Sequence, residues 1–213
     1  MEFSAFESAV VKIKNLPLPG EGSHLEMAPL ERLLELKRLA RKAKTAKKAG
    51  VLMLFYPSEE QITRFVLILR KTYKGVHSAQ VGFPGGRFEE GDLNFEQTAL
   101  RETEEEVGVP SENISVIRAL TELYIPPSDF FVKPYMGITR QYPNFVPEAS
   151  EVEAIIEVPL SEFLRDEVRV TKILSTSYAD DIEVPAFELQ DHVVWGATAM
   201  MLNEARQLLI QTL

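Results

Sequence analysis

The sequence predicts an α/β protein in which a mixed sheet lies between helices. Val51–Tyr56 and Phe65–Leu69 are short, almost wholly apolar runs on either side of a turn at Pro57–Thr63, the pattern of buried strands. Phe95–Val107 changes to a helical period and stops at Gly108, where a left-handed residue is wanted. Further strand-like runs follow it, and Val193–Leu209 reads as a terminal helix. Strands around one central helix, with another helix at the end, suggest helices packed on both faces of a sheet.

The elements follow in order. Phe3, Phe6, Val10 and Ile13 recur at helical spacing and predict a short helix over Phe3–Lys14, ended by Leu16-Pro17-Leu18-Pro19-Gly20. Pro29 suits the first position of a second helix, expected to run to about Lys48 and close at Gly50. Gln80–Phe83 is a shorter strand entering a glycine loop at Gly85-Gly86. Beyond the central helix come strands near Ser115–Leu123, Val132–Thr139 and Val152–Val158, a short helix over Leu160–Leu164 after Pro159, and a strand over Ile182–Leu189. Residues 1–50 are expected to form an N-terminal helical extension and residues 51–213 the main domain.

Composition sets limits. At 213 residues and 45% hydrophobic, the chain can bury one sizeable core. Its net charge of −9 argues against general nucleic-acid binding, which needs a basic footprint, and means that a polyanionic substrate requires local basic groups or metal. With no cysteine there is neither a disulfide framework nor a thiol nucleophile. No N-terminal signal pattern appears and no apolar run approaches membrane-spanning length. The expectation is a soluble, cytoplasmic protein without a membrane partner.

The chemistry concentrates in Gly85-Gly86-Arg87-Phe88-Glu89-Glu90-Gly91-Asp92 and Arg101-Glu102-Thr103-Glu104-Glu105-Glu106-Val107-Gly108-Val109. On a helix, Ala99, Leu100, Thr103 and Val107 form a narrow stripe that can pack on a sheet. Glu102, Glu105 and Glu106 stand at i,i+3 and i,i+4, where like charges repel by about 0.2–0.5 kcal/mol per pair. They also lie near the helix C-terminus, the negative end of its dipole. A divalent cation offsets that penalty, and Mg²⁺ favours a few carboxylates together with waters and phosphate oxygens. The competing reading is a solvated acidic face.

This stretch resembles the signature box of the Nudix hydrolases, which cleave a nucleoside diphosphate linked to another group. Gly86 matches the first glycine, Arg101-Glu102 the central pair, and Glu105-Glu106 with Gly108-Val109 the right half. Two departures stand out: Asp92, separated from Arg101 by eight residues, replaces the first glutamate, and Thr103 replaces an aliphatic residue. The extra residue with Asp92 looks like the coenzyme A pyrophosphatase branch. So do His77-Ser78-Ala79-Gln80-Val81-Gly82-Phe83-Pro84-Gly85-Gly86, Thr98-Ala99-Leu100, Pro127-Ser128-Asp129-Phe130 and Trp195-Gly196-Ala197-Thr198-Ala199. Upstream, Arg70, Lys71 and Gly75 stand where that branch carries a Thr/Ser-rich run and an arginine.

The resemblance implies an α/β/α sandwich and metal-dependent hydrolysis of the pyrophosphate bond of coenzyme A or its thioesters. The products would be 3′,5′-ADP and 4′-(acyl)phosphopantetheine. ADP-ribose or NADH remains an alternative substrate, and a non-catalytic nucleotide-binding module is the reading from another class. Glu102, Glu105 and Glu106 are the expected ligands of Mg²⁺ or Mn²⁺, and Arg101 is expected to hold the loop. Gly85, Gly86, His77 and Phe83 are candidates for substrate contact, although a lone histidine is also a common structural residue. Among Glu148, Glu151 and Glu153, Glu151 is the preferred candidate base. Trp195 reads as core. The basic run from Lys37 to Lys48 is either a solvated face or an electrostatic guide for a substrate with an extra phosphate. A homodimer is a further expectation from the resemblance.

Overall fold

β1 (Lys47–Pro57) is the strand around which the remaining elements are arranged. The computed structural model describes residues 1–29, 45–71, 80–174 and 181–213. β1 pairs antiparallel with β2 (Thr63–Arg70) and parallel with β7 (Phe130–Ile138), so the sheet is mixed. Beyond these, β3 (Val81–Gly82) and β8 (Val152–Pro159) pair with β2, β4 (Gly85–Arg87) pairs with β1, and β5 (Ser115–Ala119) and β6 (Leu123–Ile125) pair with β7. β9 (Arg169–Leu174), β10 (Ile182–Leu189) and β11 (His192–Trp195) make a second, three-stranded sheet.

The alternation of β1 sorts the two layers of core, because successive strand residues point to opposite faces. Leu52, Leu54 and Tyr56 pack with Ala99 and Val107 of α3 (Phe95–Val107). Ala49, Met53 and Phe55 join the other cluster, which takes in α1 (Phe3–Asn15) and α5 (Gly196–Ile210). Both faces are covered, which is why β1 reads as an unbroken apolar run. α1 is seated by Phe6 against Phe55, ring centroids 4.7 Å apart. Its C-terminal end is closed by Arg118, whose Nη1 donates to the carbonyls of Ile13 and Leu16 at 2.7 Å. α2 (Glu21–Leu25) lies against α5, and α4 (Leu160–Phe163) against β2 and β8.

The sandwich, the N-terminal helix and the central helix agree with expectation; α3 has the predicted bounds. Several details differ. Lys47 and Lys48 belong to β1 and not to a helix, and Gly50 lies inside that strand. The rest of the predicted second helix, residues 30–44, is outside the described residues. The glycine loop is itself a strand, β4, because Gly86 pairs with Gly50. β9 and β11 are additional. β9 is an edge strand with no fully buried position, so its sequence carries no apolar alternation. β11 takes the first residues of the predicted terminal helix, across a two-residue hairpin in which Gln190 and Asp191 have φ of 49° and 62°.

Candidate active site

α3 begins with a reciprocal cap: the Gln97 N–H donates to the Asn94 side chain at 2.9 Å, and the Leu93 N–H donates to the Gln97 side chain at 2.6 Å. It ends at Gly108, with φ 75° and ψ 19°, the left-handed stop expected there. Thr103, at the position of the usual aliphatic, is fully buried and satisfies its hydroxyl on the Ala99 carbonyl at 2.6 Å. Between these ends the three glutamates have different surroundings. Glu106 is buried, Glu102 is half-buried, and the Glu105 side chain is 57% exposed.

Asp92 and Arg101 fix the loop ahead of the helix. The Arg101 guanidinium donates to both carboxylate oxygens of Asp92, at 2.9 and 3.1 Å, and to the Arg87 carbonyl at 3.2 Å. Asp92 also accepts from the Glu89 N–H and the Thr98 hydroxyl. The bidentate Arg101 contact holds its carboxyl well below the usual range. The aspartate that departs from the family pattern is therefore a clamp for Arg101. The same guanidinium reaches Glu102 at 3.0 Å and Glu105 at 3.1 Å through Nη1.

Two glycines bring backbone close to the carboxylates. Gly85, at φ +146°, donates its N–H to Glu106 Oε2 at 2.7 Å. A Cβ at Gly86 would lie 2.4 Å from the Glu102 carboxylate, so the bare backbone there is what admits that side chain. Gly86→Ala is expected to push the flexible end of Glu102 aside, lowering turnover by about 100-fold while leaving the melting temperature almost unchanged. Steady-state kinetics beside thermal melting checks this, and unaltered turnover would remove Glu102 from the site.

Gly85, Gly86 and Glu102 open onto a cleft of about 520 Å³, with Glu106 buried behind them and not in its lining. Gly85, Gly86, Arg87, Glu102, Arg70 and Glu151 line one end. The Lys71 N–H donates to the Glu151 carbonyl at 2.9 Å, which sets Glu151 beside Arg70. Across β1, the side formed by β6 and β7 is apolar and includes Leu123, Tyr124, Pro127 and Phe130, while Trp195 lines the cleft from the end of β11, which lies against β3. Phe83 borders the cleft but is only 4% exposed and belongs mainly to the core. Glu105 does not line it; its exposed carboxylate pairs with Arg101 at 3.1 Å. His77 lies outside the described residues.

Trp195 corrects the expectation of a core residue: at the end of β11, one residue ahead of α5, it is half-buried and lines the cleft. Arg70 was missed as a site residue. Its signal was a cation closing an apolar strand, and it lies 3.3 Å from Glu106. Of the basic run, Lys47 stands over the Phe130 ring at the apolar end, 5.6 Å from its centroid, and residues 37–44 lie outside the described residues.

Burial, reinforced by Glu102 and Glu151 and opposed by Arg70 and the Gly85 N–H, pushes Glu106 up to about 7. Burial also raises Glu102, against Arg101, with Glu105 and Glu151 adding to the rise. A cation removes this repulsion, and hard carboxylate oxygens suit Mg²⁺ or Mn²⁺. Among the described residues no three such groups already form a cage. Mg²⁺ does not need one, since it retains waters and takes phosphate oxygens from substrate. The residues fit a divalent cation held by few protein ligands.

A pH dependence follows. Without cation, folded Glu106 keeps its proton up to about pH 7, whereas an unfolded glutamate loses it near about 4.3. Between these values the folded state binds more protons, so its contribution to stability falls as pH rises. In EDTA the melting temperature is expected to drop between about pH 5 and about pH 7.5, and Glu106→Gln to flatten the drop. A wild-type melting temperature that climbs across that window would contradict the buried-acid assignment.

A NUDIX domain model matches residues 46–174. This chain belongs to the Nudix family. It is 30% identical over 174 residues to the peroxisomal coenzyme A diphosphatase ndx-8 of Caenorhabditis elegans, covering 81% of this chain and 73% of that protein. It is 32% identical over 165 residues to the mitochondrial Nudix hydrolase 15 of Arabidopsis thaliana, covering 75% of this chain. It is 34% identical over 154 residues to the uncharacterized Nudix hydrolase NudL of Pectobacterium atrosepticum, covering 67% of this chain and 71% of that protein. The chain spans 57% of the Arabidopsis protein's length. The Nudix match includes β4, the Asp92–Arg101 clamp and all of α3, so the cleft's carboxylate end falls within it.

Proposed function

We propose that this Nudix protein hydrolyses the pyrophosphate bond of coenzyme A or its thioesters, giving 3′,5′-ADP and 4′-(acyl)phosphopantetheine. The observation that carries the reading is the two-ended cleft: carboxylates and glycine backbone at one end, a long apolar wall at the other. A diphosphate seated at the first end leaves room along the second for an uncharged arm, which the pantetheine of coenzyme A supplies. The likeness to ndx-8 supports the same substrate class.

Glu102 and Glu106, with Glu105 exposed one turn along the same helix, would hold Mg²⁺ or Mn²⁺, which would supply charge to neutralise the phosphoanhydride oxygens and lower the pKa of the attacking water. Arg101 keeps the loop and Glu102 in register. Glu151, exposed at the mouth beside Glu102, takes the proton from the attacking water. Gly85 and Gly86 let the phosphates approach the backbone, Phe83 backs the floor, and His77 is assigned to substrate contact from sequence. Arg70 and Lys47 supply local positive charge in an acidic protein.

The test is incubation of purified protein with coenzyme A, ADP-ribose and NADH, each with Mg²⁺ and with EDTA, read by mass spectrometry. Metal-dependent release of 4′-phosphopantetheine, faster than cleavage of the other two, is expected. Preferential cleavage of ADP-ribose or NADH would retain the chemistry and discard the coenzyme A assignment.

A further inference from the structure

Away from the carboxylate end, the protein buries an acidic group that the proposed reaction does not use. Glu204 of α5 has no solvent exposure. Its Oε1 accepts from the Gly20 N–H at 3.2 Å and from the Thr121 hydroxyl; its Oε2 accepts from the Thr121 N–H at 2.9 Å and lies 3.1 Å from His24 Nε2. Burial pushes its pKa up, but the contacts with His24 and Thr121 outweigh that, and the group sits below its ordinary value. The neighbouring Asn203 repeats the tie, its Nδ2 donating to the Ser23 carbonyl at 2.7 Å and to Glu26 at 3.1 Å.

Each partner belongs to a segment that forms a wall of the cleft. The segment holding Gly20 and His24 runs on to Pro29, Thr121 stands just ahead of Leu123 and Tyr124, and Glu204 follows Met200 by one helical turn. Pro29, Leu123, Tyr124 and Met200 all line the cleft. An apolar side chain at 204 would leave the Gly20 and Thr121 N–H groups and the Thr121 hydroxyl without their acceptor, so the carboxylate is what joins these segments in the interior. What bonds from α5 to two other segments supply is the relative position of all three. None of Glu204's bonds among the described residues reaches α3 or β4.

We propose that Glu204 is a positioning residue that holds the three walls of the cleft's apolar end at a set separation, so that they receive the part of the substrate beyond the diphosphate. The proposal rests on the cleft being the substrate site, as under Proposed function. It predicts a split in kinetics: disturbing Glu204 weakens substrate binding and spares the chemical step.

The experiment compares Thr121→Val, Thr121→Ser and Glu204→Gln with wild type. Two readouts are coenzyme A hydrolysis and acrylamide quenching of Trp195, the chain's only tryptophan, which lies in the cleft wall. Thr121→Val keeps size and loses the hydroxyl donor; Thr121→Ser retains it. In folded Thr121→Val and Glu204→Gln, KM is expected to rise about 10-fold with kcat within about 2-fold, and quenching of Trp195 to increase at least about 2-fold. Thr121→Ser is expected to restore wild-type values on both.

Unchanged KM and quenching in folded Thr121→Val and Glu204→Gln would overturn the proposal, as would a fall in kcat at constant KM. Should wild type cleave none of the substrates, the functional reading falls, and the quenching comparison still decides the role of Glu204 in setting the wall. If Glu204→Gln does not fold, Thr121→Val against Thr121→Ser carries the test.

Discussion

Glu106→Gln is expected to lower kcat/KM by about 1,000-fold while the protein stays folded. The amide has the shape of the acid, and its oxygen can still accept from the Gly85 N–H, the 2.7 Å contact that ties α3 to β4. What disappears is a negative charge at the centre of the site, where Glu102 and Glu151 already act on it. A neutral amide also leaves Arg70 without its ionic partner, so the local charge swings toward positive and a cation is repelled. Circular dichroism, melting and steady-state hydrolysis with Mg²⁺ make the comparison. A folded variant with wild-type turnover would remove Glu106 from the reaction.

The largest effect on stability is expected from Gly50→Ala. A Cβ there would sit 2.2 Å from the Phe95 carbonyl oxygen and 3.0 Å from the Ala99 amide nitrogen. Both are backbone atoms of α3 that no rotamer change can move, so the helix must lift from the sheet. The cost is about 3 kcal/mol or more, a fall in melting temperature of roughly 10 °C for a chain of this length. Gly91→Ala, where nothing lies within 4 Å of the new atom, is the control. Melting of Gly50→Ala within about 2 °C of wild type would mean that α3 is not packed so closely.

Gly50 shows where sequence reading stopped. A glycine after a lysine-rich segment looks like a helix stop, and the local chain gives no reason to prefer a strand whose glycine makes room for a helix 45 residues later. Elements marked by their own residues were legible: α3 from its helical period and the stop at Gly108, and β1 and β2 as apolar runs. β4 was not, because Gly85 and Gly86 have no side chains with which to announce a strand. The carboxylates of α3 could be named from spacing. Their unequal burial could not, since it depends on Arg101, Arg70 and Gly85 approaching from other elements. Trp195 escaped for the same reason: a large aromatic beside small residues is equally suited to a core and to a cleft wall.

Arg101 bears on how metal would come and go. One of its nitrogens already contacts Glu102 and Glu105, at 3.0 and 3.1 Å. A cation taking those carboxylates as ligands would have to compete with the arginine for them. Its net affinity is then the difference between two attractions, smaller than either. The arginine remains tethered by Asp92 and is ready to reclaim the carboxylates as metal and product depart. Such an internal competitor would favour rapid turnover of the ion over tight retention.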